Sequence, residues 1–236
     1  MLLRKLWRTM GLYKAQFISM IIMISLGIGI FIGFNMEWVS IEKNTDSFFD
    51  DTGFADYRIV SEAGFTKNDL KSIEDMDGVD RASRYVCVNA DVKGRDGDSV
   101  ALTVTENEDV SGFMVVQGDA YDSESTDGIW LSDRYAGANN IAAGDKLTLE
   151  YKNFEIKGEV KGLIKASEHM VCVRDETQIM PDYDTYGYAY ISPVFYEKAA
   201  GFEYYPQINV ISDMSKKAFT DEADDALDRT LLILSK

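Results

Sequence analysis

The pattern of hydrophobic and polar positions divides the chain into an apolar N-terminal run and a longer region of short alternating segments. Residues 17–34 read FISMIIMISLGIGIFIGF, with no charged residue and only two serines. In a helix that rises about 1.5 Å per residue, this run is about 27 Å long, close to the hydrocarbon thickness of a bilayer. The sequence therefore predicts a single membrane-spanning helix that enters the lipid bilayer here.

The helical pattern continues beyond the apolar run. Apolar or threonine side chains recur at spacings of three and four residues, at Trp38, Ile41, Thr45 and Phe48. No proline or glycine interrupts this segment before Gly53. A solvated linker is the alternative interpretation, but the spacing favours a helical stalk. We therefore assign residues 17–53 to a transmembrane helix and its stalk.

Charge orients the predicted helix. The first 16 residues contain no acid and four basic residues, Arg4, Lys5, Arg8 and Lys14. By the positive-inside rule, this end of the helix lies in the cytoplasm and the rest of the chain lies outside the cell membrane. Leucines and a tryptophan alternate with these basic residues, so residues 1–16 are predicted to form a basic interfacial helix on the inner leaflet.

A cleaved signal peptide is the alternative interpretation of the N-terminal segment. Cleavage requires small residues just after a short apolar region. Here the apolar run is long, and the residues at its end include Phe34, Met36 and Trp38. We therefore expect a retained membrane anchor.

From Ala55 onwards the pattern changes to short strands, turns and three further helices. A helix is predicted to begin after Thr66, because Thr66 with Asp69 three residues later is typical of a capping box. A last helix is predicted over Lys216–Leu234, with an apolar face and an acidic exposed face. The predicted strands are Ala55–Ser61, Tyr85–Val92, Val100–Thr105, Lys146–Tyr151, Phe154–Gly162, Tyr186–Ser192 and Gln207–Ile211, with a short helix from Val194.

These elements predict an α+β fold class for the outer region. Helical periodicity is lost over residues 112–181, which are predicted to form an inserted β-rich lobe. The flanking residues 54–111 and 182–236 are predicted to form one α+β lobe around this insertion.

Composition limits the partners of the outer region. The chain has 40 acidic and 24 basic residues, a net charge of −16, and four of the basic residues lie before the membrane segment. A strongly acidic domain repels phosphate backbones, so we expect no nucleic-acid partner. The acidity itself is typical of a soluble surface.

No catalytic or metal-binding constellation is found in the sequence. His169 is the only histidine, and no G-x-S-x-G motif accompanies it, so we expect it to cap a strand or lie on the surface. Cys87 and Cys172 lie in apolar alternating runs and are expected to pack as small hydrophobic residues, with a disulfide as the alternative. Asp75–Gly78 and Asp96–Asp98 resemble fragments of calcium loops but lack the full frame, so turns are expected. We predict no enzyme activity, no cofactor and no metal.

The segment Ile129–Ile164 reads IWLSDRYAGANNIAAGDKLTLEYKNFEIKGEVKGLI. Its strand ending in Leu-Ser, its alanine-containing stretch, its Gly-Asp-Lys-Leu-Thr-Leu run and its final glycine turn resemble the extracytoplasmic domain of MacB/FtsX-like ABC transporter permeases. The basic N-terminal segment, the first membrane helix and the sequence Phe54–Tyr57 resemble the opening of the same family.

This resemblance implies a porter-like α+β lobe with an inserted β-rich lobe. It also implies that ATP is hydrolysed by a cytoplasmic ABC-type ATPase subunit, and that the chain works with the remaining permease helices or a second permease copy. Three later membrane helices of the family do not occur in these 236 residues, and we expect them elsewhere in a longer chain or on another chain.

Two functions follow from the sequence. The first is the outer-domain and first-helix portion of a permease that couples ATPase action in the cytoplasm to movement outside the membrane. The alternative is a membrane-anchored extracytoplasmic binding or sensor protein with no role in transport. A third possibility, an anchored surface hydrolase, has no supporting group of residues.

Overall fold

The structure is a computed structural model that describes Arg8 and residues 11–175 and 177–212. The chain divides into two compact units, Met1–Ser47 and Phe48–Lys236. Most of the predicted interfacial helix over residues 1–16 lies outside the described residues. The whole of the predicted helix Lys216–Leu234 also lies outside them.

One long helix, α1, covers Lys14–Thr52 and contains both the apolar run and the stalk. Its 39 residues extend over about 58 Å. It is long and apolar enough to cross a membrane, and none of its most apolar window is buried within the protein. The helix ends at Thr52, directly before Gly53, and the assignment of residues 17–53 to a transmembrane helix and its stalk stays a prediction. Trp38 and Ile41 on the stalk are 70% and 54% exposed. Among the described residues, the spacing of these two side chains therefore reflects a helix, but they do not form a face that packs against the rest of the protein.

The second unit contains three short helices and nine strands among the described residues. The helices are α2 (Lys67–Glu74), α3 (Asp133–Ala138) and α4 (Pro193–Ala200). The strands are β1 (Tyr57–Val60), β2 (Val79–Val92), β3 (Ser99–Thr105), β4 (Phe113–Gly118), β5 (Gly128–Ser132), β6 (Lys146–Tyr151), β7 (Phe154–Ala166), β8 (Tyr186–Ile191) and β9 (Gln207–Ser212). A 3₁₀ turn, Ser167–His169, follows β7 directly.

All nine strands belong to one mixed sheet in the order β1-β9-β2-β3-β8-β5-β7-β4, and β6 pairs with both β2 and β7. The pairs β3–β8 and β5–β7 are parallel, and the other pairs are antiparallel. The predicted α+β fold class with an N-terminal apolar helix is confirmed. The division into a porter-like lobe and an inserted β-rich lobe stays a prediction.

The sheet buries side chains on both of its faces. Every residue of β3 is buried, as expected for a strand with packed layers above and below it. One face packs against α3 and α4 through Tyr135 and Phe195. The other face carries an aromatic cluster that includes Trp130, Tyr188 and Tyr190.

Local capping residues determine where the short helices begin. Thr66 and Asp69 form the predicted capping box, in which each side chain accepts a hydrogen bond from the other residue's backbone N–H. Ser192 caps α4, which has proline at its first position and ends at Gly201 in the left-handed region.

Two strands are longer than the sequence predicts. The strand predicted to begin at Tyr85 begins at Val79, because its polar first half pairs with β9 and its Arg84 is held by carboxylates. The strand predicted to end at Gly162 continues to Ala166, because β4 supplies a pairing partner for its last residues. In both cases the hydrogen-bonding partner lies far away in the sequence.

Candidate functional site at the end of the long helix

The end of α1 is fixed by a complete C-terminal capping motif. The N–H of Gly53 donates to the carbonyl of Asp50 at 3.3 Å, and the N–H of Phe54 donates to the carbonyl of Phe49 at 3.0 Å. Gly53 has the left-handed φ of +61° that this motif requires. The rings of Phe49 and Phe54 stack with centroids 4.7 Å apart. These bonds and the accompanying apolar contact define a Schellman motif.

The loop before β4 binds the last carbonyls of the helix. The N–H of Gly112 donates to the carbonyl of Thr52 at 2.9 Å, and the N–H of Ser111 donates to the carbonyl of Gly53 at 2.6 Å. The approach is so close that a Cβ at residue 53 would lie 2.0 Å from the carbonyl oxygen of Asp109. Glycine at position 53 is therefore required both for the backbone conformation and for space.

The turn after β7 contacts the same helix end through side chains. The hydroxyls of Thr52 and Ser167 form a buried hydrogen bond of 2.7 Å. Thr52 also donates to the carbonyl of Phe48 one turn earlier, at 2.6 Å. Within the second unit, the last turn of the helix is therefore bonded to two separate segments.

Glu168 lies at the centre of these contacts with its side chain only 2% exposed. Its carboxylate accepts hydrogen bonds from the N–H of Ala55 at 3.1 Å and from the hydroxyl of Ser111 at 2.7 Å. It also forms an ion pair with Arg58 on β1. A buried carboxylate with several donors is well satisfied, so this charge stabilises the arrangement around it.

Asn209 on β9 completes the network. Its amide donates to the hydroxyl of Ser111 at 2.6 Å. Tyr190 on β8 donates to the carbonyl of Ser111 at 3.1 Å, and burial raises the pKa of Tyr190 well above its usual value. We name this set the junction cluster, which consists of Thr52, Arg58, Ser111, Ser167, Glu168 and Asn209.

His169 follows the junction cluster in sequence but faces a different set of partners. Its Nε2 lies 3.0 Å from the hydroxyl of Thr103, and its ring stacks on Tyr188 with centroids 4.8 Å apart. Burial, with a smaller contribution from the charge of Arg58, lowers the pKa of His169 to about 4. The imidazole is therefore neutral at pH 7. The sequence pattern favours a strand cap or a surface position for His169 and does not predict that its ring packs against an aromatic side chain.

The two cysteines lie in different environments and are both free thiols. Cys172 is buried against the aromatic face of the sheet, and burial raises its pKa to about 12. Cys87 is exposed and accepts a weak hydrogen bond from the hydroxyl of Thr103 at 3.6 Å. The expectation of a packed apolar side chain therefore fits Cys172 and is wrong for Cys87.

The acidic segments singled out in the sequence form turns. Asp75–Gly78 connects α2 to β2, and Asp96–Asp98 lies in the turn between β2 and β3. Asp98 accepts a hydrogen bond of 2.8 Å from the hydroxyl of Tyr135. In the part of the chain that the structure describes, no three His, Cys, Asp or Glu side chains are grouped so that they could hold a metal ion.

The sequence pattern does not predict the junction cluster. Phe49, Gly53 and Phe54 give a local signal, since apolar residues on both sides of a glycine are typical of a Schellman motif. Ser111, Glu168 and Asn209 give no such signal, because their partners lie more than 50 residues away in the chain.

The sequence matches no protein-family model and no curated protein. Similar solved structures include the extracellular domain of the noncanonic ABC-type transporter YknZ from Gram-positive bacteria. The two sequences are 14% identical, the match covers 73% of this chain and 92% of that chain, and the TM-score is 0.48. The periplasmic region of MacB from Actinobacillus actinomycetemcomitans has 14% identity, 76% of each chain covered and a TM-score of 0.39. A domain of a protein from Porphyromonas gingivalis, described as a permease, has 13% identity, 74% and 76% covered and a TM-score of 0.41.

Proposed function

We propose that this chain is the first-helix and outer-domain portion of an ABC transporter permease, with its N-terminus in the cytoplasm and its main domain outside. In this role the chain catalyses no reaction itself. It receives movement from a cytoplasmic ABC-type ATPase subunit and passes that movement to the outer domain.

The observation that carries this proposal is the way in which α1 ends. Four backbone hydrogen bonds and the hydroxyl pair of Thr52 and Ser167 fix the last turn of the helix. A simple tether needs only a flexible connection, whereas a mechanical coupling needs a stiff one. In the proposed role, the junction cluster is the part of the second unit that holds the last turn of the helix firmly.

Partners follow from the same proposal. The membrane face of α1 carries Gly29 and Gly33, and an added Cβ at either would meet no other atom within 4 Å. Small residues at this spacing allow another membrane helix to approach closely. The remaining permease helices or a second permease copy are the proposed partners within the bilayer.

A flexible insertion in the stalk tests the coupling. We expect Gly-Gly-Ser-Gly inserted after Ser40 to leave membrane insertion, assembly with the ATPase and ATP hydrolysis intact. Hydrogen–deuterium exchange of residues 48–56 and 107–112 is measured with and without ATP and vanadate. The nucleotide-dependent difference in exchange should be present in the parent complex and lost in the insertion variant.

A helical insertion at the same site is the matched control. Seven residues of sequence EAALKAA add about two turns and change the helix phase by only about 20°. This variant should keep most of the nucleotide-dependent difference. If the flexible insertion keeps it as well, the stalk does not carry the movement, and a membrane-anchored binding or sensor protein becomes the better interpretation.

A further inference from the structure

An apolar groove lies on the face of the sheet that carries α4. Its volume is about 570 Å³, within the range of roughly 300–1,000 Å³ that is typical of small-molecule pockets. Aliphatic side chains of β2 and β3 form its floor, among them Val86, Val88 and Leu102. A surface of this kind excludes water and favours an apolar occupant.

The walls of the groove are aromatic and come from three separate segments. Tyr196 belongs to α4, Tyr151 and Phe154 belong to the β6–β7 hairpin, and Phe202 and Tyr204 belong to the loop before β9. The rings of Phe154 and Phe202 contact each other edge to face, with centroids 5.8 Å apart. This contact joins two of the three walls.

Lys152 is the one charged residue among those that line the groove. It lies at the tip of the β6–β7 hairpin, is exposed, and places its ammonium 5.0 Å from the ring centroid of Tyr151. No carboxylate of the described residues forms an ion pair with it. On a chain with a net charge of −16, an unpaired cation beside an apolar pocket complements a ligand with an acidic end.

We propose that this groove binds a single-chain anionic amphiphile, such as a long-chain fatty acid. The apolar chain lies on the floor formed by β2 and β3, and the carboxylate pairs with Lys152 at the rim. This site is independent of the proposed permease role, because neither the junction cluster nor α1 contributes to it.

Photolabelling of the full chain in phosphatidylcholine nanodiscs tests the site. A diazirine-bearing palmitate is the probe, and labelled peptides are located by mass spectrometry. We expect labelling of β2, α4 and the loop before β9, in addition to background labelling of residues 17–34 within the bilayer. Unlabelled fatty acids should compete with the probe for the groove, and each further methylene that they bury should increase their apparent affinity about fourfold.

Substitutions on α4 and in the hairpin separate the two parts of the proposal. Ala200→Trp places a large ring in the groove and should reduce groove labelling at least tenfold. Lys198→Trp, on an exposed position of the same helix, is the matched control and should leave it unchanged. Lys152→Asn should weaken competition by palmitate about threefold and leave competition by uncharged hexadecanol unchanged.

Two results would overturn the inference. An unlabelled groove, with labelling confined to residues 17–34, would mean that the groove does not take the apolar chain, whether it is empty or covered by another segment or a second copy. Equal losses of labelling in Ala200→Trp and Lys198→Trp would mean that the label reports the fold and not the pocket.

Discussion

Glu168 shows how one side chain can hold several segments together. Its carboxylate bonds the backbone just after α1, the loop before β4 and the strand β1, while it is itself part of the turn after β7. A buried acceptor that is removed leaves its donors without partners, and each unpaired buried donor costs about 1–3 kcal/mol. The contribution of Glu168 therefore comes mainly from its hydrogen bonds, because Arg58 is half exposed.

We predict that Glu168→Ala lowers the free energy of unfolding by about 2 kcal/mol, since the N–H of Ala55 and the hydroxyl of Ser111 lose their acceptor. Glu168→Gln keeps an acceptor and should cost about 1 kcal/mol. Urea unfolding of the full chain in micelles, followed by near-ultraviolet circular dichroism, measures both. Equal losses in the two variants would show that the ion pair and not the hydrogen bonding matters.

His169 makes the stability of the second unit depend on pH. Its pKa is about 4 in the folded protein and about 6.5 in the unfolded chain, so the unfolded chain binds more protons between these values. The stabilisation is therefore fully present above pH 6.5 and is lost as the pH falls towards 4. The expected loss at pH 4 is about 3 kcal/mol.

The variant His169→Gln isolates this effect from the titration of the carboxylates, which occurs in both proteins. Between pH 7 and pH 4, we predict that the parent loses about 3 kcal/mol more unfolding free energy than the variant. Urea midpoints at the two pH values give the comparison. If the parent and the variant lose the same unfolding free energy between pH 7 and pH 4, the imidazole is in contact with water and does not contribute to the pH dependence.

At the scale of elements, α1 depends on Gly53 for its termination. A side chain there meets both the left-handed backbone, which costs about 1–2 kcal/mol, and the carbonyl of Asp109. We predict that Gly53→Ala costs about 3 kcal/mol or more and increases hydrogen exchange over residues 48–56, because the loop before β4 must move away.

Gly201 provides the matched control for this substitution. It also ends a helix, α4, with a positive φ of 75°, but an added Cβ would meet no atom within 4 Å. Gly201→Ala should therefore cost only about 1 kcal/mol and leave exchange at residues 48–56 unchanged. Similar costs for the two variants would indicate that crowding at Gly53 is relieved easily.

At the scale of the whole molecule, the proposed orientation predicts which residues an impermeant reagent can reach. In a chain with Cys87 and Cys172 replaced by serine, we expect a membrane-impermeant maleimide to label Asp96→Cys on intact cells and not Lys5→Cys. Permeabilised cells should label both. Mass spectrometry should find the intact N-terminus, and a mature chain that starts near Asn35 would contradict the retained anchor.

Local sequence determined the elements whose causes are local. The uncharged run of residues 17–34, the capping box of Thr66 and Asp69, and the alternation in Lys146–Tyr151 each identify an element without reference to the rest of the chain. Helix periodicity, caps and strand alternation involve residues within a few positions of each other. For the same reason, the absence of proline and glycine before Gly53 favours a helix that continues through the stalk, and α1 continues to Thr52.

Only the tertiary structure decided the junction cluster and the groove. Ser111, Glu168 and Asn209 meet because β7 and β9 bring them to the end of α1, and nothing near them in sequence specifies that meeting. Likewise, the groove exists because α4 and the β6–β7 hairpin stand apart over the same strands. The sequence pattern predicts which face of an element is apolar, whereas the distance between two elements depends on the packing of the whole sheet.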